Sequence, residues 1–260
     1  MRATLITALA AALCLAVAST GLAALTCPPI DLTLDKHKVE MGMTYDGETI
    51  MVSGAAPAGS QVALLLVSRD NPPLMLSRKG KVGLFWMAVK QLEVRNLPFL
   101  YRIYTSGPLT SVAGPEAISQ LGLGYDHLRG QMVAECVKGE PSADDAEVLF
   151  KGFLQLKEGE GLYGVSEGAV TVSPEGRFQQ AVTLPDRAIE GTYLIHAYAF
   201  KDGRLVGSAT RELVTQKVGL GKWLVTTSQH NGVLYGVMAV VVALGAGLGI
   251  GAIFKKGAAH

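Results

Sequence analysis

Ser166 stands in Gly164-Val165-Ser166-Glu167-Gly168, a G-x-S-x-G spacing, and Asp186 and His196 follow it in the order nucleophile, acid, base. On a strand turning sharply into a helix, such a trio performs acyl transfer: the serine attacks, the imidazole takes its proton and the carboxylate orients the imidazole. Here Gly168 runs into Ala169-Val170-Thr171-Val172, an alternation that reads as another strand, so a β-turn is expected around Ser166. His37, His127, His196 and His230 make no H-x-x-x-H or H-x-H pair, and no C-x-x-C occurs, so no ligands are set to converge on a metal. No carboxylate pair stands out either. The chain is expected not to be an enzyme, and to carry no cofactor.

Charge is the more informative pattern. Residues 69 to 102 hold seven basic side chains against two acidic, and residues 116 to 160 hold nine acidic against four basic. Arg78, Lys79 and Lys81, followed closely by Trp86, could gather cationic donors around a small anion or dock an acidic partner. The alternative is a solvated hairpin whose charges keep a sheet edge from pairing. Formal net charge is only +1, so no global field would hold a polyanion and nucleic acid is excluded as an expected partner.

The elements that position these residues begin with an export signal. Arg2, the apolar run Leu5 to Val17 and the small residues ending at Ala23 predict a signal peptide over residues 1–23. Cys14 leaves with it, so Cys27 and Cys136 remain, and an oxidising compartment makes a disulfide between them possible in kind. Ala24-Leu25-Thr26 lacks the residues of a lipidation site before Cys27. At the other end, Gly232 to Phe254 is 23 residues without a charge, enough at ~1.5 Å per residue to cross ~30 Å of hydrocarbon. Lys255 and Lys256 follow at once. The expected topology is a single pass through a bacterial inner membrane, ectodomain in the periplasm and residues 255–260 in the cytoplasm. Ala239, Ala243, Gly247 and Gly251 recur every four residues and share one helix face, a small-residue groove that suits packing against a membrane partner or a second copy.

Between these ends the pattern is β. Ile30-Leu32-Leu34, Thr49-Met51 and Val62-Leu64-Leu66 alternate around turns at Asp46-Gly47 and Ala58-Gly59, and Val82 to Arg95 and Phe99 to Thr105 continue the pattern. Pro115, Glu116 and Gly122 bracket a helix of about two turns near 115–121. The acidic, turn-prone Glu140 to Asp145 is the expected domain boundary. Strands are then expected at Glu147 to Leu156, Leu162 to Val165, Gly168 to Val172, Phe178 to Leu184, Thr192 to Phe200 and Leu205 to Gln216. The fold class is therefore mainly β: two immunoglobulin-like β-sandwich domains, 24–140 and 145–217, a juxtamembrane segment 218–231 carrying Trp223, and one transmembrane helix over 232–254.

Gly83-Leu84-Phe85-Trp86 after the basic cluster, Leu97-Pro98-Phe99-Leu100-Tyr101, and Gly191 to Gly219 leading into Leu234-Tyr235-Gly236 resemble the uncharacterised alphaproteobacterial "putative transmembrane" family. The resemblance covers nearly the whole mature chain. It implies a periplasmic ectodomain without an assigned activity, often encoded beside transporters similar to sulfite exporters. Two functions from different classes follow: a non-enzymatic accessory or scaffold protein beside an integral membrane partner such as a small-anion transporter, or a ligand-sensing, anion-binding ectodomain.

Overall fold

The computed structural model describes residues 30–82, 84–138 and 145–257. The expected signal segment 1–23, Cys27, residues 140–144 of the expected domain boundary and the last three residues lie outside them. A six-stranded sheet has the order β2 (Lys38–Met41), β13 (Arg204–Lys217), β12 (Gly191–Lys201), β4 (Gln61–Ser68), β7 (Tyr101–Thr105), β9 (Tyr163–Ser166). A four-stranded sheet has the order β1 (Asp31–Leu34), β3 (Glu48–Ala55), β11 (Arg177–Leu184), β10 (Thr171–Val172). The third sheet joins β5 (Leu74–Val82), β6 (Phe85–Arg95) and β8 (Val133–Lys138). Helices are α1 (Leu109–Val112), α2 (Pro115–Leu121), α3 (Tyr125–Gln131), α4 (Asp145–Gly159), α5 (Gly219–His230) and α6 (Gly232–Gly257).

Alternation builds the sandwich. Along β12, Tyr193, Ile195, Ala197 and Ala199 are fully buried while Leu194, His196 and Tyr198 on the other face are half-buried. The register sets Ala197 beside Leu64 and Ile195 beside Leu66, and all four are at most 1% exposed. Tyr104 accepts the Thr183 N–H at 3.4 Å, which ties the six-stranded sheet to β11 across the core. Leu32, Ile50, Val52, Val182 and Leu184 supply the opposing layer.

The mainly β class, the helix at 115–121 and the apolar C-terminal helix are as the sequence predicts. The division into two sandwiches is not. β3 pairs along its whole length with β11, β4 with β12, and β7 with β9, so strands on both sides of the expected boundary share the four-stranded and the six-stranded sheet, while the β5–β6–β8 sheet lies wholly before it. The physical reason is strand pairing: β3 has β1 on one side and β11 on the other, and β4 lies between β12 and β7, so neither sheet of the sandwich satisfies its backbone hydrogen bonds or buries its inner face without strands from both halves. Glu147 to Leu156 is the second correction, for it lies in α4 rather than a strand. Phe150, Phe153 and Lys157 are buried at helical spacing, and that one face packs while Val148 and Leu156 stay exposed.

Candidate functional site

The end of the sandwich nearest α6 concentrates the unusual features. Gly191 opposes Thr215 and Tyr193 opposes Ser68, so β13 leaves toward the membrane helix at the level where β4 ends. The Thr215 hydroxyl donates to the Ile189 carbonyl at 2.9 Å and accepts the Gly191 N–H at 3.0 Å, closing that end. From Ser68 the chain passes through Asp70-Asn71-Pro72-Pro73 into the β5–β6 hairpin, the expected basic cluster.

Hairpin register pairs Arg78 with Lys90, Lys79 with Ala88, Lys81 with Trp86 and Val82 with Phe85, with an irregularity between Arg78 and Lys79. That bulge changes the alternation within the cationic run. Side chains of Arg78, Lys79 and Trp86 lie outside the described residues; Lys81 is exposed. Sequence reasoning took the cations and Trp86 and passed over its neighbours at the tip, where Leu84 is 89%, Phe85 72% and Met87 55% exposed. An uninterrupted apolar run from Val82 to Val89 between cations was the available signal.

Beside the hairpin, α4 forms the wall of an apolar groove of about 350 Å³, lined by Leu76 and Leu92 from the sheet and Val148, Leu149, Phe153 and Leu156 from the helix. The C-terminal half of α4 fastens to the sandwich. Phe153 packs edge-on against Tyr163, centroids 5.4 Å apart. Lys157 is 4% exposed; its ammonium lies 4.3 Å from the Phe99 ring centroid and donates to the Phe99 carbonyl at 3.4 Å, and burial pushes its pKa down. Tyr101, Tyr125 and Tyr163 cluster beside it, and burial raises each phenol above its ordinary range. Tyr101 donates to the Gly122 carbonyl at 2.6 Å and accepts the Gly124 N–H at 2.9 Å, which latches the α2–α3 insertion to β7. Arg129 and Glu147 then join α3 to α4.

Ser166 and His196 do not form a hydrolase site. Ser166 ends β9, and Gly168, at φ 69°, turns the chain into β10, giving strand–turn–strand where a nucleophile elbow needs strand–turn–helix. His196 shares a hydrogen bond of 2.9 Å with Thr210 and stacks on Tyr198. Among the described residues no three His, Cys, Asp or Glu side chains group as metal ligands. Cys136 sits on β8, half-buried, while its expected partner Cys27 lies outside the described residues. Ala239, Ala243, Gly247 and Gly251 follow one line along α6; a Cβ added at Gly247 or Gly251 would meet nothing within 4 Å.

A family model described as "Putative transmembrane protein (Alph_Pro_TM)" matches residues 29–256. No curated protein matches the chain. Among solved structures, the chain is similar to domain 1 of VCBP3 from Branchiostoma floridae at 12% identity, covering 73% of this chain and 97% of that one with a TM-score of 0.22.

Proposed function

The chain belongs to that transmembrane family, and on this premise we propose that it is a non-enzymatic accessory protein, anchored by α6, whose ectodomain stands in the periplasm beside an integral membrane partner. The observation that carries the reading is the line of small residues along α6, a helix open on every face over Gly232–Gly251. Ala239, Ala243, Gly247 and Gly251 give a groove, and a Cβ at Gly245, Gly247, Gly249 or Gly251 would meet open space. Lipid tails gain little from such a groove, whereas a second helix can approach closely and recover van der Waals contact. A tether alone would be served as well by bulky apolar residues. The partner is a membrane helix of another subunit, with a small-anion transporter as the class the resemblance suggests.

Replacing Gly247 and Gly251 together with leucine keeps the hydrophobic length and fills the groove. Loss of crosslinked or co-purified membrane protein in mild detergent, with export and insertion unchanged, is the expected result. Unchanged crosslinking would make α6 a passive anchor. Digestion of the ectodomain by protease outside spheroplasts, leaving a C-terminal stub, checks the orientation in the same cells.

A further inference from the structure

The β5–β6 hairpin is carried by a third strand only at its root. β8 pairs with Gln91 to Arg95, so from Arg78 to Lys90 the ribbon has two strands and no further neighbour in its sheet among the described residues. Two-stranded ribbons are marginal in water, and this one exposes Leu84, Phe85 and Met87 at its tip. Arg78, Lys79 and Lys81 precede that tip in the chain, Lys90 on the returning strand is buried, and no acidic residue lies between Ser77 and Gln91. An apolar, aromatic tip preceded by cations has the composition of a segment that enters a lipid interface: the apolar side chains leave water while the cations meet headgroup phosphates.

The topology puts this device where a bilayer is. Its root follows Ser68, at the sandwich end from which β13 departs for α5 and α6, and Arg69 bonds to Glu212 of β13 at 3.4 Å. The contacts of α4 give the hairpin's direction. Leu74 and Val94 at the hairpin's root lie with Phe153 and Lys157 of α4, and Leu76 and Leu92, further along the ribbon, lie with Val148, Leu149, Phe153 and Leu156, while Phe150 and Phe153 pack into the core. The ribbon therefore leaves its root at the sandwich end and runs alongside α4 toward that helix's N-terminus. Reach decides the rest. The 12 residues of α5 can hold the sandwich off the membrane by no more than ~18 Å, while the nine residues of β5 extend ~30 Å.

We propose that the tip of the β5–β6 hairpin inserts into the interface of the same bilayer that α6 spans, with the exposed Lys81 engaging anionic phospholipid headgroups. The ectodomain then has two points of membrane attachment and a fixed height and tilt above it. This requires α6 to span the bilayer and does not require a protein partner.

The full chain, one copy per nanodisc, tests it. The variant Phe85→Trp with Trp86→Phe and Trp223→Phe has its single tryptophan at the tip. In discs of phosphatidylglycerol with brominated acyl chains, tip fluorescence should fall about twofold against unbrominated discs. Adding Lys81→Glu should restore it. Equal emission in both discs overturns the insertion, and quenching indifferent to charge reversal and to replacement by phosphatidylcholine overturns the headgroup contact. Hydrogen exchange of the unmutated chain guards against a misfolded variant: amides of residues 79–82 and 85–88 should exchange more slowly in phosphatidylglycerol than in phosphatidylcholine discs, and equal rates overturn the proposal. Protection that appears only when discs hold two copies, or a second membrane protein, also overturns it by making the tip a protein contact.

Discussion

Lys157 and Phe99 are joined twice, by the ammonium over the ring at 4.3 Å to its centroid and by a hydrogen bond of 3.4 Å to the carbonyl. This couples α4 to the loop that opens β7, and it places a cation where the residue is only 4% exposed. Its depressed pKa means that the unfolded chain holds this proton more tightly than the folded one. The resulting penalty is fully present below the folded pKa and is relieved as pH rises toward 10.5. Lys157→Met keeps the packing and removes the buried charge, so it should raise stability at neutral pH by about 1 kcal/mol. Lys157→Ala loses the packing as well and should cost about 2 kcal/mol. Thermal unfolding in mild detergent against pH checks both, and the advantage of methionine should shrink toward alkaline pH. A constant difference across the range would mean that the ammonium is not destabilised by burial.

Tyr101→Phe removes one hydroxyl that serves two backbone groups, the Gly122 carbonyl and the Gly124 N–H. Both sit in the short link between α2 and α3, and the site is too buried for water to replace the phenol easily. Leaving them unpaired should cost about 1–3 kcal/mol. The loss should be local. Hydrogen exchange in residues 115–131 is expected to quicken well before that of β12, and uniform acceleration would show that the latch belongs to the global fold.

Legibility followed the range of the interactions. β12 could be read because Tyr193, Ile195, Ala197 and Ala199 carry the two-residue period within the strand itself. α2 could be read because Pro115 and Gly122 sit at its two ends, Gly122 taking φ 67° at the cap. Pairing of Val182 with Ile50, more than a hundred positions earlier, leaves no local trace, and the acidic composition of 140–145 suggested a boundary because composition alone does not say which strands pair across it. α4 was misread because Val148, Leu149, Phe150, Phe153 and Leu154 fit a strand's composition; only the buried Phe150, Phe153 and Lys157 face distinguishes a helix. The basic cluster was visible at the hairpin, but the reading proposed for it depends on the lack, among the described residues, of a third strand beyond Gln91 and on where the ribbon is rooted, and both are properties of the sheet.

His196 supplies an acid-side prediction. Its ring stacks on Tyr198 with centroids 5.9 Å apart, its Nδ1 is 2.9 Å from the Thr210 hydroxyl, and burial lowers its pKa below the ordinary imidazole value of 6.5. Above 6.5 the ring is neutral in both folded and unfolded chains, so it adds no pH dependence there. As pH falls through 6.5 toward the folded pKa, the unfolded chain takes up a proton that the folded one refuses, and stability is lost. His196→Gln retains a hydrogen-bonding partner for Thr210 and cannot titrate. It should therefore flatten the acid limb of the stability profile, by up to about 1.4 kcal/mol for each pH unit traversed inside that window. Denaturant midpoints between about pH 7 and pH 5, with an imidazole NMR titration of the same samples, read the effect directly. Parallel acid limbs for the two proteins, or a titration at or above the ordinary value, would place His196 in contact with water and remove it as a source of acid sensitivity.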